Sequence, residues 1–117
     1  MRTVLVIDDR LPSLTSLCMI LNLNGYQALE AENAQQAEQK FRTHPVDMLI
    51  VDRGLSGVSG AEIARQLKRI RNVLVVMLPG NLELKEAPTD VDLLLPKWHT
   101  VRDLLAAIEH LFQTNSA

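Results

Sequence analysis

Three carboxylates and an ammonium stand where apolar runs of this sequence stop. Asp8 and Asp9 close the run TVLVI, Asp52 closes VDMLIVD, and Lys97 follows DLLL after a single proline. Adjacent negative charges at the edge of an apolar core cost free energy unless a proton or cation shares their space. If the first and third runs are neighbouring strands, Asp8, Asp9 and Asp52 converge on one crevice. A hard divalent cation with oxygen ligands suits such a crevice. Mg²⁺ in particular binds through few carboxylates and keeps waters that a phosphate can replace. Lys97 would bring a second positive charge to the same place. The set reads as a site for a phosphoryl group. No Ser, Cys or His stands at these run ends, so the nucleophile the sequence offers is a carboxylate, which would form an aspartyl phosphate. The metal and the lysine would neutralise charge on the phosphoryl oxygens.

Positioning these groups requires strands that end together. The apolar runs Thr3 to Ile7, Tyr26 to Ala31, Val46 to Val51, Val73 to Leu78 and Asp92 to Leu95 alternate with helical patterns. Leu14, Leu17, Cys18 and Leu21 form one helical face, stopped by Asn24-Gly25. Ala34, Ala37 and Phe41 form a weaker one, and Ala61, Ile63, Ala64 and Leu67 a third. Val101, Leu104, Leu105, Ile108, Leu111 and Phe112 form the clearest, opened by Thr100 with Asp103 three residues on. Continuous apolar strands separated by helices predict a parallel sheet covered on both faces, a three-layer α/β domain. YQALEA, mixed in polarity, belongs at a sheet edge. In the fourth connection, PGNLELKEAPTDVD, Pro88 leaves room for at most two helical turns, so a short or irregular helix is expected there.

Composition excludes several classes. The chain has 117 residues with 47% apolar and 22% charged, which suits one domain with a real core and neither a disordered chain nor a membrane protein. Net charge is −2 without a stripe of Lys or Arg, so nucleic-acid binding by this domain alone is not expected. The lone Cys18 excludes an internal disulfide and reads as a buried thiol. No stretch nears the roughly 18 apolar residues of a membrane span, and MRTVLVIDD is no signal peptide; a cytoplasmic protein is the default. Residues 1–113 read as the domain and 114–117 as a polar tail or linker stump.

VLVIDD at the first strand, DMLIVD at the third, Gly60 eight residues after Asp52, and LLLPK at the fifth give the chain a resemblance to the receiver domain of two-component response regulators. That resemblance implies a doubly wound, flavodoxin-like five-stranded parallel sheet of order 2-1-3-4-5. It implies that Asp52 accepts a phosphoryl group from a histidine kinase or phosphotransfer protein, in a domain that assists its own phosphorylation and dephosphorylation. It makes Asp9 and Asp52 ligands of Mg²⁺, with Asp8 acting through water and the backbone carbonyl of Gly54 as a further ligand. Lys97 would contact the phosphoryl group.

The sequence departs from the family pattern in ways that bear on output. Pro79 stands where receivers carry Thr or Ser, and losing that hydrogen bond to a charged group costs about 1.5–3 kcal/mol. Gly80 follows, and its N–H remains a candidate phosphoryl donor. Leu94 replaces the aromatic switch residue, Ser56 replaces a proline four residues after Asp52, and Trp98 replaces the proline after Lys97. A cis bond before Trp98 would cost about 2.5–4 kcal/mol, so trans is expected. Arg53, beside Asp52, is a cation that could pair with a carboxylate. The alternative reading is a pseudo-receiver, the same fold used as a phosphorylation-independent interaction module. A downstream protein partner is expected in either case, and a homodimer is left open. A nucleotide- or flavin-binding enzyme is disfavoured, because DDRLPS lacks the glycines that cradle phosphate.

Overall fold

The computed structural model describes residues 1–52, 60–78, 93–94 and 101–115. Its strands are β1 (Thr3–Ile7), β2 (Gln27–Ala31), β3 (Met48–Asp52), β4 (Leu74–Leu78) and β5 (Leu93–Leu94). Its helices are α1 (Leu11–Leu23), α2 (Ala34–Thr43), α3 (Gly60–Ile70) and α4 (Val101–Asn115). All strand pairs are parallel, in the order β2-β1-β3-β4-β5. The parallel sheet expected from the alternating runs, and the doubly wound order implied by the resemblance, are therefore the ones observed. The stretch that would hold a short fourth-connection helix lies outside the described residues, as does Thr100. Helix α4 runs on to Asn115, two residues past the expected end of the domain at 113.

The sheet separates two cores, and strand periodicity sorts side chains between them. Val4 and Val6 of β1, Met48 and Ile50 of β3, and Val76 of β4 pack with Leu14, Cys18 and Leu21 of α1 and with Leu104, Ile108 and Phe112 of α4. The alternate residues Leu5 and Ile7, Leu49 and Val51, and Val75 pack with Ala37 and Phe41 of α2 and Ile63, Ala64 and Leu67 of α3. Every residue of β1 and β3 is buried, as continuous apolar runs inside a doubly covered sheet require. β2 is at the edge and only Ala31 of it is buried, which matches its mixed polarity.

Local signals end the helices where the sheet needs them to end. α1 stops at Asn24, and Gly25 follows with φ +90°, a conformation that side-chain-bearing residues rarely adopt. Asn33 caps α2 by accepting a hydrogen bond from the Gln36 N–H at 2.8 Å, while the Gln36 side chain accepts from the Glu32 N–H at 2.8 Å. Phe112 stacks on Tyr26 with centroids 5.9 Å apart, and the Arg2 guanidinium sits 4.4 Å over its ring. These contacts hold α4 against the amino-terminal end of the sheet, opposite the carboxylates.

Candidate acidic site at the carboxyl end of the sheet

Register brings the acids together. In the β1–β3 pairing Ile7 stands beside Val51, so Asp8 and Asp52, the next residues, leave the sheet side by side. Asp8 continues the phase of Val4 and Val6, and Asp52 that of Met48 and Ile50, so both belong to the face covered by α1. Asp9 is the neighbour of Asp8, and the three residues offer carboxylate oxygens within 4.8 Å of one another. Asp8 and Asp52 are buried, Asp52 to 2% exposure, and Asp9 is half-buried. Three hard oxygen donors at that spacing fit a divalent cation such as Mg²⁺. The convergence the sequence made conditional on strands one and three being neighbours is thus present.

The carboxylates are also held by the turn into α1. The Asp8 N–H donates to the Ala31 carbonyl at 3.0 Å, extending the β1–β2 ladder by one residue. Asp8 Oδ1 accepts from the Arg10 N–H at 3.0 Å, a two-residue turn that starts the helix. Arg10 occupies the N-cap position without a side-chain cap, and Pro12 enters the first turn of α1. Burial above all raises the Asp8 carboxyl above the ordinary carboxylate range, and the neighbouring Asp52 adds to it. The Arg10 backbone N–H and guanidinium pull in the opposite direction.

One residue of the site was not picked out by the sequence. Arg10 turns its guanidinium back over the acids: Nη2 donates to Asp52 Oδ2 at 2.8 Å, and Nε lies 3.7 Å from Asp8 Oδ1. The contact with Asp52 is chiefly what raises the Arg10 pKa further, so this side chain is charged at every accessible pH. Among the described residues, Arg10 is the cation paired with Asp52. The available signal was the tripeptide Asp8-Asp9-Arg10 itself, which sets a fork donor one residue after the acid pair. Arg53, Gly54, Ser56, Pro79, Gly80, Lys97 and Trp98 lie outside the described residues, and Leu94 is described for its backbone alone.

A five-stranded parallel sheet of this order defines a doubly wound α/β domain, here with an acid cluster at its carboxyl end, and comparison with known proteins gives the family. The family model for the response regulator receiver domain matches residues 4–109, and the chain belongs to that family. It is 30% identical over 115 residues to the phosphate regulon transcriptional regulatory protein PhoB of Escherichia coli, covering 92% of this chain and 50% of that protein. The PhoB protein of Pseudomonas aeruginosa is 41% identical over 68 residues, 58% of this chain and 30% of that protein. The chain therefore spans half or less of the length of these curated relatives. Among solved structures, a receiver domain protein of Clostridium thermocellum superposes with TM-score 0.88 at 26% identity, covering 97% of this chain and 96% of that one. The response regulator TrrA of Thermotoga maritima, solved in complex with histidine kinase ThkA, shares the fold with TM-score 0.84 at 24% identity, over 95% of this chain and 98% of that one. This is a receiver domain of two-component signalling. Among the described residues no helix is long and apolar enough to cross a membrane.

Proposed function

We propose that this domain accepts a phosphoryl group on Asp52 from a histidine kinase or phosphotransfer protein and signals through protein–protein contacts in the cytoplasm. The observation that carries the reading is the gathering of Asp8, Asp9 and Asp52 within 4.8 Å at adjoining strand ends of a receiver domain. An Asp52 carboxylate oxygen attacks phosphorus, the phosphorus–nitrogen bond of the donor's phosphohistidine breaks, and the imidazole leaves after taking a proton. Asp8, Asp9 and Asp52, with the Gly54 carbonyl, would hold Mg²⁺, which when bound neutralises phosphoryl oxygens as charge moves onto them. Lys97, three residues after β5 in the sequence, and the N–H of Gly80, two residues after β4, are the proposed phosphoryl contacts. Burial of Asp52 keeps water from competing as nucleophile and strengthens every charge interaction around it.

A second reading has its own support. The Arg10 guanidinium already sits on the proposed acceptor at 2.8 Å, as a counter-ion would in a pseudo-receiver that signals without phosphorylation. The intact mass after incubation with Mg²⁺ and a small-molecule phosphodonor separates the two. Gain of one phosphate by the wild type and none by Asp52→Asn is the expected result. An unchanged wild-type mass favours the phosphorylation-independent module.

A further inference from the structure

Arg10 and a divalent cation would draw on the same oxygens. The Arg10 backbone is fixed: its N–H is held by Asp8 Oδ1 at 3.0 Å, and its carbonyl accepts from the Leu14 N–H at 3.0 Å, closing the first turn of α1. Its side chain is different, with 55% exposure and a long stem that reaches back across the crevice. The tip bridges Asp52 and Asp8, the two buried members of the three-acid cluster. A ligated Mg²⁺ lies about 2.0–2.1 Å from each carboxylate oxygen. A guanidinium nitrogen 2.8 Å from Asp52 Oδ2 occupies that oxygen's approach, and its positive charge repels an incoming cation.

We infer that Arg10 is a resident counter-ion of the acid cluster, which offsets part of its charge in the absence of metal and must swing aside for a divalent cation to bind. The inference rests on the metal site proposed above. Its geometry makes the exchange feasible, because the exposed guanidinium can leave for water without unpacking either core, while the α1 turn keeps its backbone in place. Metal affinity is then set by a competition within the chain: the carboxylates without the Arg10 guanidinium would bind more tightly than the wild-type protein does. Arg10 holds the metal-free domain together and weakens its loading, so phosphorylation that needs the metal is gated by one side chain.

The test is titration of the purified domain with MgCl₂ by isothermal calorimetry, comparing wild type, Arg10→Gln and Arg10→Lys, with thermal unfolding of each in EDTA and in MgCl₂. Arg10→Gln keeps a polar side chain but removes the charge, and its Mg²⁺ Kd is expected to fall about tenfold or more, the equivalent of about 1.4 kcal/mol. Its Tm should be below the wild type's in EDTA and should rise further with Mg²⁺, as linkage demands. Arg10→Lys restores the charge and should return the affinity toward wild type. Equal or weaker Mg²⁺ binding by Arg10→Gln would overturn the role given to Arg10 while leaving the metal site standing. Absence of binding in all three proteins would remove the metal site and this inference with it. Should Arg10→Gln fail to fold, the Nε–H resonance of Arg10 in the ¹⁵N-labelled wild type decides: it should move along the Mg²⁺ binding isotherm, and a resonance unchanged at saturation would overturn the inference.

Discussion

Burial controls chemistry at single residues on the α1 side of the sheet. At Asp8 it favours the protonated form and a cation opposes it; at Cys18 nothing of comparable weight opposes it. The Cys18 thiol lies on the buried face of α1, with Sγ 3.8 Å from the Leu29 carbonyl, and burial followed by the nearby Glu30 pushes its pKa up to about 12. The thiolate is the reactive species, and with a pKa of about 12 it is of the order of one in ten thousand at pH 8. Iodoacetamide at pH 8 should therefore alkylate the native domain far more slowly than the urea-unfolded chain; equal rates would mean Cys18 is accessible and ordinary. The same shift carries a sign for stability. The folded state holds the thiol proton more tightly than the unfolded state does. The contribution is thus complete below the unfolded thiol pKa, about 8.5, and is lost as pH rises from there toward 12. The urea midpoint of the wild type should fall between pH 7 and pH 10 by more than that of Cys18→Ala.

Elements are tied together by contacts of unequal legibility. The Phe41 carbonyl, in the last turn of α2, would look to the N–H of residue 45, but Pro45 has none, and it lies at the negative end of the helix dipole. Arg71, just past α3, supplies the partner: its Nη2 donates to the Phe41 carbonyl at 2.6 Å and the His44 carbonyl at 3.0 Å, with the guanidinium 4.3 Å over the Phe41 ring. Arg71→Ala should cost about 1–2 kcal/mol in urea unfolding, the lower part of the range for charged hydrogen bonds because the side chain is partly solvated. Arg71→Lys should recover less than half, since an ammonium cannot donate as a fork or stack on the ring. A loss under about 0.3 kcal/mol for Arg71→Ala would show that solvent caps α2 as well as the arginine does. Arg71 carries no signal in the sequence, and Arg10 carries only its place directly after the acid pair. Both act through long side chains that reach across 30 and 42 residues of sequence, and their partners depend on the rotamer chosen in the folded state. The meeting of Asp8 with Asp52 spans a comparable distance yet was legible, because strand register fixes it and apolar runs announce the strands. Gly25 was legible for a similar reason: a positive φ admits few residue types. The Asn33 cap of α2 had a readable pattern, Asn33 with Gln36 three residues on, of the kind that opens many helices.

On the scale of the whole molecule, one sheet serves two cores, and each central strand belongs to both. Val4 and Val6 point to the α1–α4 side, whereas Leu5 and Ile7 point to the α2–α3 side, and β3 divides in the same way. Neither helical layer can leave without exposing apolar side chains of strands the other layer still needs. The domain is therefore expected to unfold in a single transition even though its cores do not touch across the backbone layer. Two substitutions examine this. Leu67→Ala removes a side chain of α3 that is 2% exposed and should cost about 2–5 kcal/mol. Ile108→Val trims a fully buried methyl-bearing chain of α4 on the opposite side and should cost about 0.5–1.5 kcal/mol. They share no packing partner, so the double variant should lose the sum of the two to within about 0.5 kcal/mol. Cooperativity makes the second demand: circular dichroism and near-ultraviolet signals should report one coincident midpoint in all four proteins. Additive losses with split midpoints would mean that the α2–α3 layer melts while the α1–α4 layer stays folded. A coupling well beyond 0.5 kcal/mol with one midpoint would mean that the strands shift under repacking and carry strain from one core to the other. Additivity with one midpoint is what a stiff, shared sheet requires, and a stiff sheet is also what keeps Asp8 and Asp52 side by side when Arg10 leaves them.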